Sequence, residues 1–300
     1  MLAYPIRHWR GELSLAVAWW GNGVLLTLAL LAFEFNAGRL GIEPLLASRA
    51  GFTTWLVAGL LLWLLLPAWQ VIGIFRSAER HAEEIGTLLA ARLVQVGATL
   101  LTLLLATNFL VFAGESVPGL RLAWGLGGNS YTLQVSHGGR LLEIDGSFAF
   151  GLATDARRML ATHPQVRRVR LNSGGGSLTE AQQLRALIIE HGLDTDSTSL
   201  CASACVSAYL GGAHRLLRAS ARLGFHLPRN PGFGLRGRLT PQYAAELREF
   251  ARRGVPRWFL GRWVAGGRQF WYPNPRELQM AGLVHGYFGR PRPGEEFWFR

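Results

Sequence analysis

Three stretches of more than twenty residues without a charged side chain crowd the first 115 positions, and they limit this chain's fold more than any other feature. Between Glu12 and Glu34 lie 21 uncharged residues, between Arg49 and Arg76 lie 26, and between Arg92 and Glu115 lie 22. About 20 helical residues at 1.5 Å rise cross the roughly 30 Å of bilayer hydrocarbon, so each stretch can span. A buried core helix passes the same test, and so does a signal peptide for the first stretch. Three in succession, with no strand pattern to pack against and no small-residue cleavage site after the first, favour retained spans. The expectation is a membrane region over 1–115 with helices at about 13–33, 52–75 and 93–113, the second kinked at Pro67.

Charge separates along the chain in the same way. All 31 basic residues are Arg; residues 1–115 balance to zero net charge, and residues 116–300 carry the whole +12. With 49% apolar and 17% charged residues, the chain is too apolar to be disordered, and the charge break near Gly114 marks a change of solvent. Cytoplasmic flanks are enriched in Arg. With the N-terminus inside, the inner flanks hold Arg7, Arg10, Arg76, Arg80 and Arg92 against Arg39, Arg49 and Arg121 outside. That asymmetry places residues 116–300 outside the cytoplasm, in a bacterium the periplasm.

After a linker and first strand over 116–138, residues 139–300 alternate strand and helix, the signature of an α/β layer fold. Strands are expected at Leu141–Ile144, Val166–Leu171 and Asp194–Ser199, and helices at Leu152–Thr162 and Leu178–His191. Asn172-Ser173-Gly174-Gly175-Gly176 lies between a strand and a helix start, where glycine amides can face an anion. No Lys follows and the spacing is not G-x-G-x-x-G, so a nucleotide-phosphate loop is excluded. Cys201-Ala202-Ser203-Ala204-Cys205 forms a second strand-to-helix junction with Ser203 at the cap position. The segments 214–218 and 222–226 read as a hairpin delivering His226 just before Pro228. Singly, a cap serine and a strand-end histidine are ordinary structural residues. A glycine turn, a helix-start Ser and a strand-end His in that order suggest nucleophilic catalysis.

These segments resemble the superfamily of the Clp protease proteolytic subunit, the signal peptide peptidases of the same fold, and the crotonases. Asn172-Ser173-Gly174-Gly175-Gly176 is similar to its N-S-P-G-G turn, and Cys201-Ala202-Ser203-Ala204 to its nucleophile motif. The run 218–228 is similar to its hairpin with a base His two residues before Pro, and Asn274-Pro275-Arg276-Glu277-Leu278 leading to Gly282-Leu283-Val284 to its late helix. The match covers about half of the chain. It implies Ser203 as nucleophile, His226 as general base, and the amides of Gly175 and Ala204 as oxyanion hole. Relatives that use a Ser-Lys pair offer no precedent for a chain without Lys, and Arg holds its proton too firmly to act as base.

The family's orienting Asp is missing: its place falls near Phe270, and no Asp follows Asp196. Asn274, Glu277, Asp194 and Asp196 are the candidate orienters. Cys201 and Cys205 are either a disulfide or two packed thiols, and a thiol nucleophile ranks below Ser203. Two cysteines are too few for a closed structural zinc site, and no metal, nucleotide or other cofactor is expected.

From Arg215 to Arg262 there are 11 Arg and two acids. This reads as a solvated basic face or as a surface for anionic membrane lipids. Nucleic acid is not expected as a partner, since no reader fold accompanies the charge. The aromatic tail, Trp258 through Tyr272 with Phe297 and Trp298, fits a peptide cleft, a membrane interface or a subunit contact equally. The leading reading is a membrane-anchored serine hydrolase, an endopeptidase on peptide or protein substrates and a homo-oligomer as in its relatives. The alternative is an inactive scaffold of the same fold. Acyl-CoA chemistry would need a CoA supply that the expected side of the membrane lacks.

Overall fold

The computed structural model describes residues 3–36, 48–85, 87–128, 130–227 and 241–290. The chain divides into two compact units that part at residues 118 and 119.

The first unit is helical. Helix α1 (Ala3–Trp9) precedes a π-helical run (Val17–Leu25) that continues into α2 (Leu26–Asn36); α3 is Arg49–Ile85 and α4 is Leu88–Trp124. Helices α3 and α4 are long and apolar enough to cross a membrane, and only 28% and 17% of their most apolar windows is buried. The first expected span appears as a shorter apolar helix, Val17–Phe33. Both long helices overrun their expected limits, and α3 continues unbroken through Pro67. The linker expected from 116 is helical as far as Trp124, with Pro118 inside it.

Leucines 61, 62, 64 and 65 of α3 and 93, 100, 103 and 110 of α4 face outward. Inside, small residues let helices approach: a Cβ at Gly73 would lie 2.3 Å from the His8 ring, and one at Gly97 2.7 Å from Trp19. Buried polar groups bridge the helices, as in lipid-facing bundles where packing and hydrogen bonds drive association. Gln70 donates to the Asn22 carbonyl at 2.5 Å and to Thr27 Oγ1 at 3.2 Å, and Tyr4 donates to Asn22 Oδ1 at 3.1 Å.

The second unit is a mixed α/β body. Strands β1 (Tyr131–Ser136), β2 (Leu141–Gly146), β3 (Arg168–Asn172), β4 (Asp194–Ser197), β6 (Arg215–Arg218) and β8 (Gly286–Phe288) form one sheet in the order β1-β2-β3-β4-β6-β8. Only the β1–β2 pair is antiparallel; the rest run parallel, joined by helices. Strands β5 (Leu200–Ala202) and β7 (Arg222–Gly224) make a separate parallel pair. The hairpin expected over 214–226 is therefore corrected. A tight turn, closed by Ala221 N donating to the Arg218 carbonyl at 2.8 Å, sends the chain from the main sheet into the small one.

Strand alternation decides which face each residue takes. On β3, Val169 and Leu171 are fully buried, each removing an aliphatic side chain from water for about 1.5–3 kcal/mol. Arg168 and Arg170 take the opposite face, in register with Asp194 and Asp196. Arg170 Nε lies 2.7 Å from Asp196, and Arg168 pairs with both aspartates within 4 Å.

Helices α5 (Leu152–Thr162) and α6 (Leu178–Glu190) pack on the apolar face, with Leu152, Ala156 and Leu160 forming a buried i, i+4 stripe. Glu180 caps α5 from outside, accepting the amides of Gly151 and Ala153 at 2.9 Å each. Helices α7 (Ala204–Tyr209), α8 (Pro241–Arg252), α9 (Arg257–Gly266) and α10 (Pro275–Met280) complete the body.

A buried ionic knot ties three of these helices together. Arg185 on α6 binds Glu246 on α8 through both guanidinium nitrogens, and donates to Ser207 on α7 at 2.9 Å. Ser207 and Gln182 also donate to Glu246. Removing one partner of such a pair strands a buried charge. Glu246→Ala should destabilise the protein by about 3–5 kcal/mol in chemical unfolding, whereas replacing Arg185 and Glu246 together with Met and Leu should recover most of the loss.

Candidate active site

Strand β5 ends at Ala202 and α7 starts at Ala204, so one residue must turn the chain from extended to helical. That residue is Ser203, at φ 56° and ψ −126°, a left-handed conformation that L side chains rarely adopt. The cost is about 1–3 kcal/mol, and such strain concentrates at functional positions. Its effect is to lift the hydroxyl clear of the helix, as in strand-to-helix nucleophile turns. The backbone is pinned on both sides: Ser203 N donates to the Gly224 carbonyl at 2.8 Å and Val206 N to the Ser203 carbonyl at 3.1 Å. Cys201 and Cys205 are joined by a disulfide across the turn.

Ser203 Oγ lies 2.7 Å from His226 Nε2, and the other ring nitrogen, Nδ1, lies 2.9 Å from the Leu227 carbonyl. A carbonyl only accepts, so Nδ1 carries the proton and Nε2 is left free to accept from the serine. Burial, partly opposed by the Leu227 hydrogen bond, pushes the His226 pKa below its ordinary 6.5. The imidazole is therefore neutral near pH 7, the form that a general base needs.

His226 sits at the end of an aromatic cluster. Phe225, the residue before it, is fully buried with ring centroids 5.1 Å from Phe259, 5.0 Å from Trp263 and 5.9 Å from Trp271. Tyr243 Oη and Trp263 Nε1 donate to the His226 carbonyl at 2.7 and 3.1 Å. The aromatic tail over 258–272 thus largely serves the core beneath the histidine, although Trp258, Phe270 and Tyr272 stay exposed. Phe297 and Trp298 lie outside the described residues.

None of the expected orienters reaches His226. Asp194 binds His214 and Arg168, and Asp196 binds Arg170 and Arg168, on the charged face of the main sheet. Asn274 and Glu277 cap α10 reciprocally, and Glu277 also pairs with Arg262. The position where the sequence count places the family's Asp holds Phe270, whose ring packs on the imidazole with centroids 4.3 Å apart. Orientation comes from a main-chain carbonyl, which has no sequence signature. The hydrogen bonds from Tyr243 and Trp263 escape a sequence reading for the same reason.

The oxyanion assignment divides. Ala204 N–H, at the start of α7, has no acceptor among the described residues and sits at the positive end of that helix. Gly175 N–H, in contrast, donates to Ser173 Oγ at 3.0 Å. Its glycine is still required: φ is 109°, and a Cβ there would lie 2.7 Å from Ser203 Cβ. Asn172 braces the same region, accepting from the amides of Thr198 and Ser199 at 3.0 and 3.2 Å and donating to Asp145 at 3.0 Å. Tyr272 stacks on Phe270 and lines a small cleft with Leu217, Arg222 and Leu278.

Among solved structures, the chain is similar to a ClpP1 mutant from Listeria monocytogenes, at 17% sequence identity and a TM-score of 0.42, over 53% of this chain and 95% of that one. No protein-family description and no curated relative matches the chain.

Relieving the Ser203 backbone should stabilise the fold. Ser203→Gly should unfold with about 1 kcal/mol more stability than Ser203→Ala, a melting temperature about 2–4 °C higher, because glycine adopts positive φ without strain. Equal melting temperatures would show that the turn stores no strain.

Proposed function

We propose that this protein is a membrane-anchored serine hydrolase, an endopeptidase acting on peptides or unfolded segments through a Ser203–His226 dyad. The observation that carries this reading is the 2.7 Å contact between Ser203 Oγ and an imidazole nitrogen left unprotonated by the Leu227 carbonyl. In the reaction, Oγ attacks the scissile carbonyl while Nε2 takes its proton. The oxyanion forms at the Ala204 amide, a fixed donor worth roughly 3 kcal/mol of barrier, and Gly175 joins only by releasing Ser173. The imidazolium then protonates the leaving amine, and a water activated at the same nitrogen hydrolyses the acyl-enzyme.

No metal or other cofactor enters these steps. The apolar helices α3 and α4, with the shorter Val17–Phe33, support a multi-pass anchor, and the Arg flanks support a catalytic unit outside the cytoplasm. Membrane lipids and peptide or protein substrates are the proposed partners, and a homo-oligomer the proposed assembly.

A second reading is a non-catalytic, peptide-binding scaffold. The Phe270 ring beside the imidazole favours it, because loss of an orienting carboxylate can cost about 10⁴ in rate.

A fluorophosphonate probe decides between the two. The hydrolase reading expects labelling of wild type, none of Ser203→Ala, and a rate about a hundredfold or more lower in His226→Ala. Absence of labelling in folded wild type favours the scaffold. Because protonation of His226 removes the base and burial lowers its pKa, the labelling rate should hold as pH falls to 6.5 and drop to half only below it. A midpoint above 6.5 would contradict the buried, neutral imidazole.

A further inference from the structure

We propose that the Cys201–Cys205 disulfide is a positioning clamp for the nucleophile, and that the site is competent only while this bond is intact. The inference rests on the hydrolase reading above. The bond joins the residue two before Ser203 to the residue two after it, holding their Cα atoms 5.3 Å apart. A fully extended run would separate those atoms by about 13 Å. A disulfide tolerates no more than about 7 Å, so the chain must fold back between the two cysteines.

A helical path would also satisfy the bond, since four residues of helix advance only about 6 Å. That path is closed by the neighbouring strands. Ala202 N donates to the Ser173 carbonyl at 2.9 Å, and β5 pairs with β7 from Leu200 to Ala202, which keeps the chain extended to 202. The helix begins at Ala204. Fold-back is thereby confined to one residue, Ser203, and appears there as its φ of 56°.

Without the bond, the only direct restraints among the described residues on Ser203's own main chain are its hydrogen bonds to Gly224 and Val206, because the strand pairing up to Ala202 acts on the residues before it. Relaxation to negative φ would swing Oγ away from His226 Nε2. Both half-cystines are fully buried, so an external thiol reaches them only when the site opens. The clamp is thus a standing part of the site. Packing alone would need only two small apolar residues at these positions, a role that alanine fills.

The test measures fluorophosphonate labelling of the full chain in detergent, resolved into maximal acylation rate and probe affinity. Cys201→Ala/Cys205→Ala should lower the maximal rate at least tenfold, with probe affinity within about twofold of wild type. The pH midpoint should not move, because burial and the Leu227 hydrogen bond set the His226 pKa and neither involves the clamp. The same comparison without mutation uses dithiothreitol. Its two thiols break the S–S bond by exchange and close into the reductant's own disulfide, leaving Cys201 and Cys205 as protonated thiols. Two thiols per chain are then counted by maleimide mass shift after denaturation, and this form carries the comparison if the double variant does not fold.

Equal maximal rates in oxidised wild type and in either disulfide-free form overturn the clamp. So does a loss of labelled fraction with the rate unchanged, since that reports unfolding and not displacement of the nucleophile. No labelling of oxidised wild type overturns the hydrolase reading and the clamp with it, which keeps the two failures distinct.

Discussion

The left-handed backbone of Ser203 is the constraint around which the α/β unit is organised. A strand that ends at 202 and a helix that starts at 204 leave no room for a gradual turn. The strain is local, but the groups that maintain it come from across the unit. Gly224 on β7 accepts the Ser203 amide, Ser173 accepts that of Ala202, and Gly175 leaves space where any side chain would strike Ser203. Asn172 holds the 198–199 amides that lead into β5. The glycine turn and the serine turn are therefore one structure. Asn172, Ser173 and Gly175 each act on the segment that presents Ser203.

The histidine is supported differently, by aromatic packing and main-chain hydrogen bonds. A carboxylate behind an imidazole fixes its tautomer and also stabilises the imidazolium that forms during reaction. The Leu227 carbonyl does the first fully and the second only as a dipole. Burial works against the charged ring, and the adjacent Phe270 face adds a weak attraction for a cation but no full charge. The site thus favours the proton-accepting step over the stability of its product. Such a base is present at neutral pH, but its imidazolium is poorly stabilised. In the proposed hydrolase, that combination would favour slow acylation over rapid turnover.

Much of this was legible in the sequence because it rests on local pattern. The helix expected over 152–162 matches the observed one to the residue, since its apolar stripe is a short-range signal. Ser203 and His226 stood out by their order along an α/β chain, and the structure places them in contact. What failed to show was long-range or main-chain. The apparent hairpin at 214–226 read as two adjacent strands because adjacency in sequence usually means pairing, yet the turn at 219–221 divides them between sheets. The candidate orienters in the sequence are side chains, and the atom behind the imidazole is a backbone oxygen. The family resemblance implies Gly175 as an oxyanion donor, while the direction of its N–H depends on where Ser173 Oγ settles.

The ionic knot at Glu246 explains how Ser203 and His226, supported independently, stay in register. Ser207 is four residues beyond the nucleophile on α7, and Tyr243 is three residues before Glu246 on α8. Glu246 thus grips the helix that carries Ser203, while its own helix, through Tyr243, holds the main chain of His226. A buried pair of this kind contributes little net stability against an apolar equivalent, because desolvation offsets the attraction. Its distinctive property is geometric: hydrogen bonds from Gln182, Arg185 and Ser207 onto one carboxylate fix three helices at once. Apolar side chains of the same volume would hold these helices together yet permit α7 and α8 to slide. A 2.7 Å contact between residues 23 positions apart tolerates little of that motion.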